Sequence, residues 1–362
     1  MKAWRFYGFK DMRLDDVPEP VLRPKHVIAE VLCVQPSVTE AQLAYGIPTL
    51  AFEKMKIRLE TEAPVQLFGH EFCVRILETG PGVTRFQKGD RVAARAKLPC
   101  ESCPLCLSGR ERLCRKGPIV GFQLPGCFSE RAILPEIALV KVDDRISDSE
   151  AACLQSLSDS VAAVETAQIQ VGDSVAIFGQ GSMGLECLQI ARNCGAGLLI
   201  TVDVREEACR ISKELGADIA LNASTCDPVA AIRELTEGNG ADIVFECAGG
   251  SPKQGLAGNR TTLQAMDAVR SGGKIVGVSW FGAPMELDID TLRERSLRYI
   301  FPDISTVEHL EYTVRLVASG RVRLKPAITH VLHGIEQVPQ AFEITANKGK
   351  YKAINPAQVM MQ

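Results

Sequence analysis

The chain has 362 residues, 46% hydrophobic and 23% charged, with a formal net charge of -3. That length favours two domains over one core, and the near balance of interspersed acids and bases excludes the basic face that nucleic acid requires. No apolar run approaches the length of about 18 residues that marks a membrane span, and Met1-Lys2-Ala3-Trp4-Arg5 lacks the apolar stretch of a secretory leader.

Thirteen cysteines, an odd number, sit mostly singly inside apolar runs, as at Cys33, Cys73, Cys153, Cys187, Cys194 and Cys247. That usage suits a reducing compartment better than a disulfide framework, so a cytoplasmic protein is expected.

Residues 1–150 are rich in β-branched residues, Pro and Gly. Val27–Val34 and Arg91–Arg95 read as strands, with Gly80, Gly82 and Gly89 at turns, which predicts an irregular, mostly β domain. Phe52–Glu60 reads as an extra amphipathic helix, expected to border a substrate entrance. Within a lobe spanning 97–117, Cys100-x2-Cys103-x2-Cys106-x7-Cys114 places four thiols in one short stretch. Four thiolates close a tetrahedron around Zn²⁺ and leave no open position, so one structural zinc per chain is predicted. An iron–sulfur cluster fits less well, because the spacing departs from ferredoxin-type runs. Arg110, Arg112, Arg115 and Lys116 lie nearby to offset the thiolate charge.

Ser147 and Asp148 are placed to cap a helix, and the pattern then changes. Val175–Phe178, Leu198–Val202, Ile243–Cys247 and Lys274–Val278 are buried-strand candidates, with helical periodicity over Met183–Cys194 and Glu206–Leu215. This alternation predicts a doubly wound parallel sheet over 151–289. Residues 290–362 are expected to return to the first domain. Gly179-Gln180-Gly181-Ser182-Met183-Gly184 fits G-x-G-x-x-G where a strand ends and a helix opens. There Gly179 permits the turn, Gly181 lets a pyrophosphate approach the backbone, and Gly184 lets the helix pack on the sheet. Ser182 and Met183 open the helix whose N–H groups face the phosphates. Asp203 ends the second strand, where an acid accepts the ribose hydroxyls, and this favours NAD over NADP. Arg205, two residues on, pulls the other way.

Taken together the chain resembles the medium-chain dehydrogenase/reductase superfamily, of the zinc-containing alcohol and polyol dehydrogenase type. The resemblance rests on Gly69-His70-Glu71-Phe72, the block from Gly80 to Val92, the four-cysteine spacing, the glycine turn and Gly272-Gly273-Lys274. It implies an α/β protein with a GroES-like, mostly β catalytic domain and a Rossmann domain. It further implies a small-molecule substrate, with neither nucleic acid nor membrane as partner, and a homodimer or homotetramer.

The resemblance also implies a second, catalytic zinc held by a Cys, the His of GHE and a third anionic ligand, and here the chain departs from the family. Ser37 stands where the Cys should be, and Gln155 falls at the third position, leaving His70 and Glu71. Zn²⁺ prefers thiolate, imidazole and carboxylate, so a catalytic zinc is expected to be absent or weak. Glu40, Glu71 and Asp159 are acids placed by the same alignment near the locus, and with His70 they offer the alternative of a rebuilt site of different geometry. Thr39 matches the family's proton-relay residue. Asp159 faces the nicotinamide pocket or solvent, and Lys352 pairs with cofactor phosphate or is solvated. Without metal, Ser37, Thr39, His70 and Gln155 remain to stabilise charge on a substrate oxygen, and His70 is suited to acid–base work. The leading expectation is an NAD-dependent alcohol or polyol dehydrogenase. The alternatives are a zinc-independent reductase of an activated C=C or C=N bond and a non-catalytic NAD(H)-binding protein.

Overall fold

The computed structural model describes residues 1–49, 51–250, 258–281 and 284–361. The chain divides into two compact units. One comprises Met1–Ser158, Ile304–Gly320 and Ile328–Gln362, and the other Asp159–Asp303 and Arg321–Ala327.

In the first unit β1 (Lys2–Gly8) and β2 (Asp11–Asp16) pair as an antiparallel ribbon. The main sheet contains β3 (His26–Gln35), β4 (Glu71–Thr79), β5 (Arg91–Ala94), β6 (Arg131–Pro135) and β7 (Leu139–Lys141). Two late strands, Val331–His333 and Gln358–Met360, complete it beside β3. Side chains on both faces of β3 are buried, which is why its sequence is a near-continuous apolar run and not an alternating one. The core is aromatic: Phe6 meets Phe68 edge-on at 4.9 Å, and Phe128 lies 5.0 Å from Phe342.

The extra helix is real and runs Phe52–Glu62. Met55 and Leu59, four residues apart on one face, bury into the unit's core, and Phe52 stacks on Phe9 at 5.0 Å. One face of this helix is therefore structural.

The second unit is built on β8 (Ser174–Phe178), β9 (Leu198–Asp203), β10 (Ile219–Asn222), β11 (Ala241–Glu246), β12 (Val269–Gly277) and β13 (Arg298–Ile300). All are parallel, in the order β10-β9-β8-β11-β12-β13. The order reverses between β8 and β11, and the carboxyl ends of these strands flank the switch point where doubly wound sheets bind ligands.

The boundaries differ from those expected at 150/151 and 289/290. They fall at 158/159 and 303/304, and 321–327 belongs with the second unit. The first shift follows from a helix, Leu154–Ala167, that runs through the boundary. The second follows from β13, which pairs with β12 in register Ile275↔Tyr299 and so extends the sheet beyond residue 290. Among the described residues no helix is long and apolar enough to cross a membrane.

Candidate active site

The glycine turn connects β8 to the helix Ser182–Asn193, with Gly181 as its N-cap. Gly179 has φ +89°, and a Cβ there would lie 2.7 Å from the Ala248 backbone. A Cβ on Gly184 would sit 1.8 Å from the Gly179 carbonyl oxygen, so the helix rests directly on the turn. A Cβ on Gly181 would meet nothing within 4 Å. The open space therefore lies at the glycine assigned to phosphate approach. Ser182 and Met183 are half-buried in the helix's first turn, the end at which a helix's N–H groups have no intrahelical acceptor.

Asp203 ends β9 and is buried. Its Oδ2 accepts the Gln180 N–H at 2.7 Å, which ties the acid to the glycine turn. Its Oδ1 accepts the Arg205 N–H at 2.9 Å and Nε–H at 3.1 Å. The guanidinium thus folds back on the acid and offsets its charge.

The four cysteines converge. Their sulfurs all lie within 4.8 Å of one another, with Cys100–Cys106 at 3.9 Å, Cys103–Cys106 at 3.6 Å and Cys103–Cys114 at 3.9 Å. A tetrahedron with Zn–S near 2.3 Å puts sulfurs about 3.8 Å apart, so the set fits a closed structural zinc. Backbone N–H groups already point at these sulfurs: Cys103 N to Cys100 Sγ at 3.3 Å, and Cys100 N to Cys114 Sγ at 3.4 Å. Donors of this kind, led by the Ser102 N–H, draw the Cys100 thiol down to about 6, and the Cys100 N–H lowers Cys114. Lys97 is a cation the sequence reading missed. Burial lowers its pKa while the charges of Cys114 and Cys100 act to raise it.

The third locus is centred on His70. The chain reaches it through Phe68 and Gly69, both left-handed at φ +67° and +82°. A Cβ on Gly69 would lie 2.9 Å from the Cys127 amide nitrogen, so this approach needs glycine. Ser37, following Gln35 and Pro36 at the end of β3, caps the helix Val38–Ala44. Its Oγ accepts the Glu40 N–H at 3.1 Å, and Glu40 Oε2 accepts the Ser37 N–H at 2.9 Å, a reciprocal capping box. The other oxygen, Oε1, accepts the Gly69 N–H at 2.8 Å and lies 2.5 Å from His70 Nδ1.

Glu71 opens β4 directly opposite Gln35 in the antiparallel register. Gln35 Nε2 donates to Glu71 Oε2 at 2.5 Å, and Gln35 Oε1 accepts from Asn355 at 3.0 Å and Gln358 at 2.8 Å. His70 Nε2 lies 4.0 Å from Glu71 Oε1. Glu40, Gln35, Asn355 and Gln358 are thus the residues that surround the locus from behind. Only Glu40 carried a readable signal, the Ser37-x-x-Glu40 spacing of a capping box.

Of the other expected site residues, Thr39 is half-buried on the helix after Ser37, and Gln155 is buried in the first turn of Leu154–Ala167. Asp159, half-buried on the same helix, is the first residue of the second unit, whereas the exposed Lys352 lies in the first. Ser37 and Gln155, at the positions where the resemblance expects anionic catalytic-zinc ligands, carry neutral side chains that are poor Zn²⁺ ligands. Among the described residues the four-cysteine lobe alone brings three or more His, Cys, Asp or Glu ligand atoms together.

A β unit carrying a four-thiolate lobe, joined in one chain to a parallel dinucleotide-type sheet, defines a class of two-domain dehydrogenases. The comparisons place the chain within it. Residues 44–144 match the alcohol dehydrogenase GroES-like domain, and 182–304 match the zinc-binding dehydrogenase family. The chain is 31% identical over 342 residues to an L-threonine 3-dehydrogenase of Symbiobacterium thermophilum, covering 91% of this chain and 90% of that one. It is 29% identical over 360 residues to an NAD-dependent alcohol dehydrogenase of Sulfurisphaera tokodaii, covering 98% of each. The solved alcohol dehydrogenase TADH from Thermus sp. ATN1 superposes with a TM-score of 0.84 at 26% identity, over the full length of both chains. The chain belongs to the zinc-containing medium-chain dehydrogenase/reductase superfamily and is an alcohol-dehydrogenase-like oxidoreductase.

Proposed function

We propose that this protein transfers hydride between NAD(H) and the carbinol carbon of an alcohol or polyol, or the corresponding ketone, without a metal ion at the reacting oxygen. The observation that carries the reading is the residue chemistry at the expected zinc positions: Ser37 and Gln155 are neutral where the family's catalytic zinc has anionic ligands. Bound nicotinamide supplies the hydride acceptor or donor.

Gly179, Gly181, Ser182, Met183 and Gly184 receive the pyrophosphate, and Asp203 accepts the adenosine ribose hydroxyls, which selects NAD. Arg205 moderates that selection, and Lys352 supplies a cation for cofactor phosphate. Ser37, Thr39 and Gln155 donate hydrogen bonds to the substrate oxygen, His70 exchanges its proton, and Glu71 and Asp159 shape the polar surroundings. The names of the relatives above support an alcohol as substrate and NAD as cofactor. Zinc is held once per chain, by Cys100, Cys103, Cys106 and Cys114. Thirteen cysteines with no disulfide support a cytoplasmic protein, and the family resemblance supports a homodimer or homotetramer.

The same residue chemistry also favours a second reading, reduction of an activated C=C or C=N bond, because that chemistry needs no polarised carbonyl. Elemental analysis with turnover assays tests both. One zinc per chain with NAD-dependent alcohol oxidation that is lost in His70→Gln is expected. Two zincs per chain would sink the metal-free assignment, and turnover confined to unsaturated substrates would select the second reading.

A further inference from the structure

Glu246, the last residue of β11, is fully buried, and the hydride-transfer reading gives it no task. We propose that Glu246 is a positioning residue for the cofactor. It locks the loops after β11 and β12 into one ledge beside the glycine turn, and that ledge sets where the nicotinamide half of the dinucleotide lies. This assignment rests on the glycine turn being the dinucleotide cradle.

Glu246 holds the loop after its own strand with one oxygen and the loop after β12 with the other. Oε1 accepts the Ala248 N–H at 3.1 Å, the Gly249 N–H at 2.9 Å and the Thr261 hydroxyl at 2.6 Å. Oε2 accepts the Ser279 hydroxyl. The backbone carbonyl of the same residue takes the Val278 N–H at 2.9 Å and the Ser279 N–H at 3.1 Å. Thr261 lies on the helix Arg260–Ala268, so three segments converge on one residue. An ionised carboxylate only accepts, and every one of these partners has a proton to give. None of them is a cation, so hydrogen bonds supply the compensation that a buried charge needs.

The two loops also meet directly. The Gly250 N–H donates to the Trp280 carbonyl at 2.9 Å. A Cβ on Gly249 would lie 2.5 Å from the Ser279 Cβ, so the close approach of the loops needs glycine there. On its other side the ledge abuts the glycine turn. The Cys247 N–H donates to the Phe178 carbonyl at 2.8 Å, and the Ala248 backbone leaves no room for a Cβ on Gly179. Phe178 ends β8, so the carboxyl ends of β8, β11 and β12 are tied together through residues 246–249.

A dinucleotide crosses such a sheet at the switch point, with one nucleotide over each half. Asp203 ends β9 and marks the adenosine half. The nicotinamide half then falls over β11 and β12, on the ledge. An apolar side chain at 246 would fill the same volume without a buried charge. It would also strip the Ala248 and Gly249 N–H groups and the Ser279 hydroxyl of their acceptor. The acid therefore serves the order of the loops and not packing alone.

ADP-ribose, which lacks the nicotinamide ring, separates the two halves in titrations of the whole protein. Glu246→Leu and Ser279→Ala are each expected to weaken NADH binding by about tenfold, with ADP-ribose affinity within about threefold of the parent. The double variant should lose no more than the worse single one, because both cut the same brace. Glu246→Gln keeps an oxygen for the two N–H groups and offers its amide to the Ser279 oxygen, so it should hold NADH affinity within about threefold. Ser279→Ala removes one hydroxyl and decides the matter if Glu246→Leu does not fold. Equal losses for NADH and ADP-ribose would mean that Glu246 only supports the sheet, and NADH binding unchanged in Ser279→Ala would mean that the brace does not reach the cofactor; either result overturns the assignment. A parent protein that binds neither ligand would overturn the cradle reading, and the assignment with it.

Discussion

Gly181 and Gly184 belong to one motif, yet the structure gives them opposite jobs, and alanine at each should separate stability from cofactor binding. At Gly184 the new methyl carbon would start 1.8 Å from the Gly179 carbonyl oxygen. Comfortable C···O contact is roughly 3.3 Å, so helix and turn must part by about 1.5 Å. Backbone cannot yield as a side-chain tip does, which puts the cost near the upper end of the ~1–3 kcal/mol typical of overpacking.

At Gly181 the methyl meets nothing within 4 Å, and the backbone, at φ -82° and ψ -163°, suits alanine. Folding should be neutral or favoured by up to about 1 kcal/mol, because the unfolded chain loses freedom. The methyl would instead occupy the space that the pyrophosphate needs. A loss of about 1.4–2.8 kcal/mol, 10- to 100-fold in NADH affinity, is expected. Urea midpoints and fluorescence titration with NADH read the two effects on the same samples. Gly181→Ala that binds NADH like the parent would show that this turn is not the phosphate cradle, and an unshifted midpoint for Gly184→Ala would refute the steric argument.

Cys103→Ser should remove the single zinc, measured by elemental analysis, and make residues 97–117 sensitive to protease, since binding energy of a structural zinc is folding energy. Arg205→Ala should shift the ratio of NADPH to NADH affinity against NADPH by about tenfold, or ~1.4 kcal/mol, because it leaves Asp203 uncompensated; parallel titrations check this. Met55→Ala should cost about 2–5 kcal/mol as a buried truncation, read as a lower denaturation midpoint; a variant as stable as the parent would mean the helix Phe52–Glu62 is dispensable to the core. Burial pushes the Asp242 carboxyl up, but hydrogen bonds from Ser174 and Arg270 outweigh it and leave it below the ordinary carboxylate value. Its stabilisation is therefore complete above about pH 4 and is lost as pH falls through the lower folded value. Asp242→Asn should flatten that acid-side loss in denaturation midpoints measured from about pH 6 down to about pH 2.

Local chemistry made part of this protein legible. The strands β8, β9 and β11 announce themselves as apolar runs, and the glycine turn and four-cysteine spacing each carry their own geometric reason. What stayed hidden depends on pairings between distant residues. Glu40 and His70 lie 30 positions apart, and Gln35 faces Glu71 only through the β3–β4 register. The sixth strand is three residues long, too short for a pattern of its own, and exists because β12 offers it an edge. The domain limits moved for the same reason, since a sheet's last strand and a helix running through a boundary are properties of packing.

The polypeptide passes between its two units four times, and the last excursion, Arg321–Ala327, is held to the second unit by a glutamine. Gln189 accepts the Arg323 N–H at 2.8 Å and donates to the Arg323 carbonyl at 3.2 Å. A fragment cut at residues 159 and 303 would deprive Gln189 of both its bonds to Arg323. During synthesis the nucleotide half must wait for residue 327 to emerge before it can close, and the first half must wait for the final strand at Gln358–Met360. Each half is thus completed by residues made after the other half has begun, so the two mature in an interleaved order.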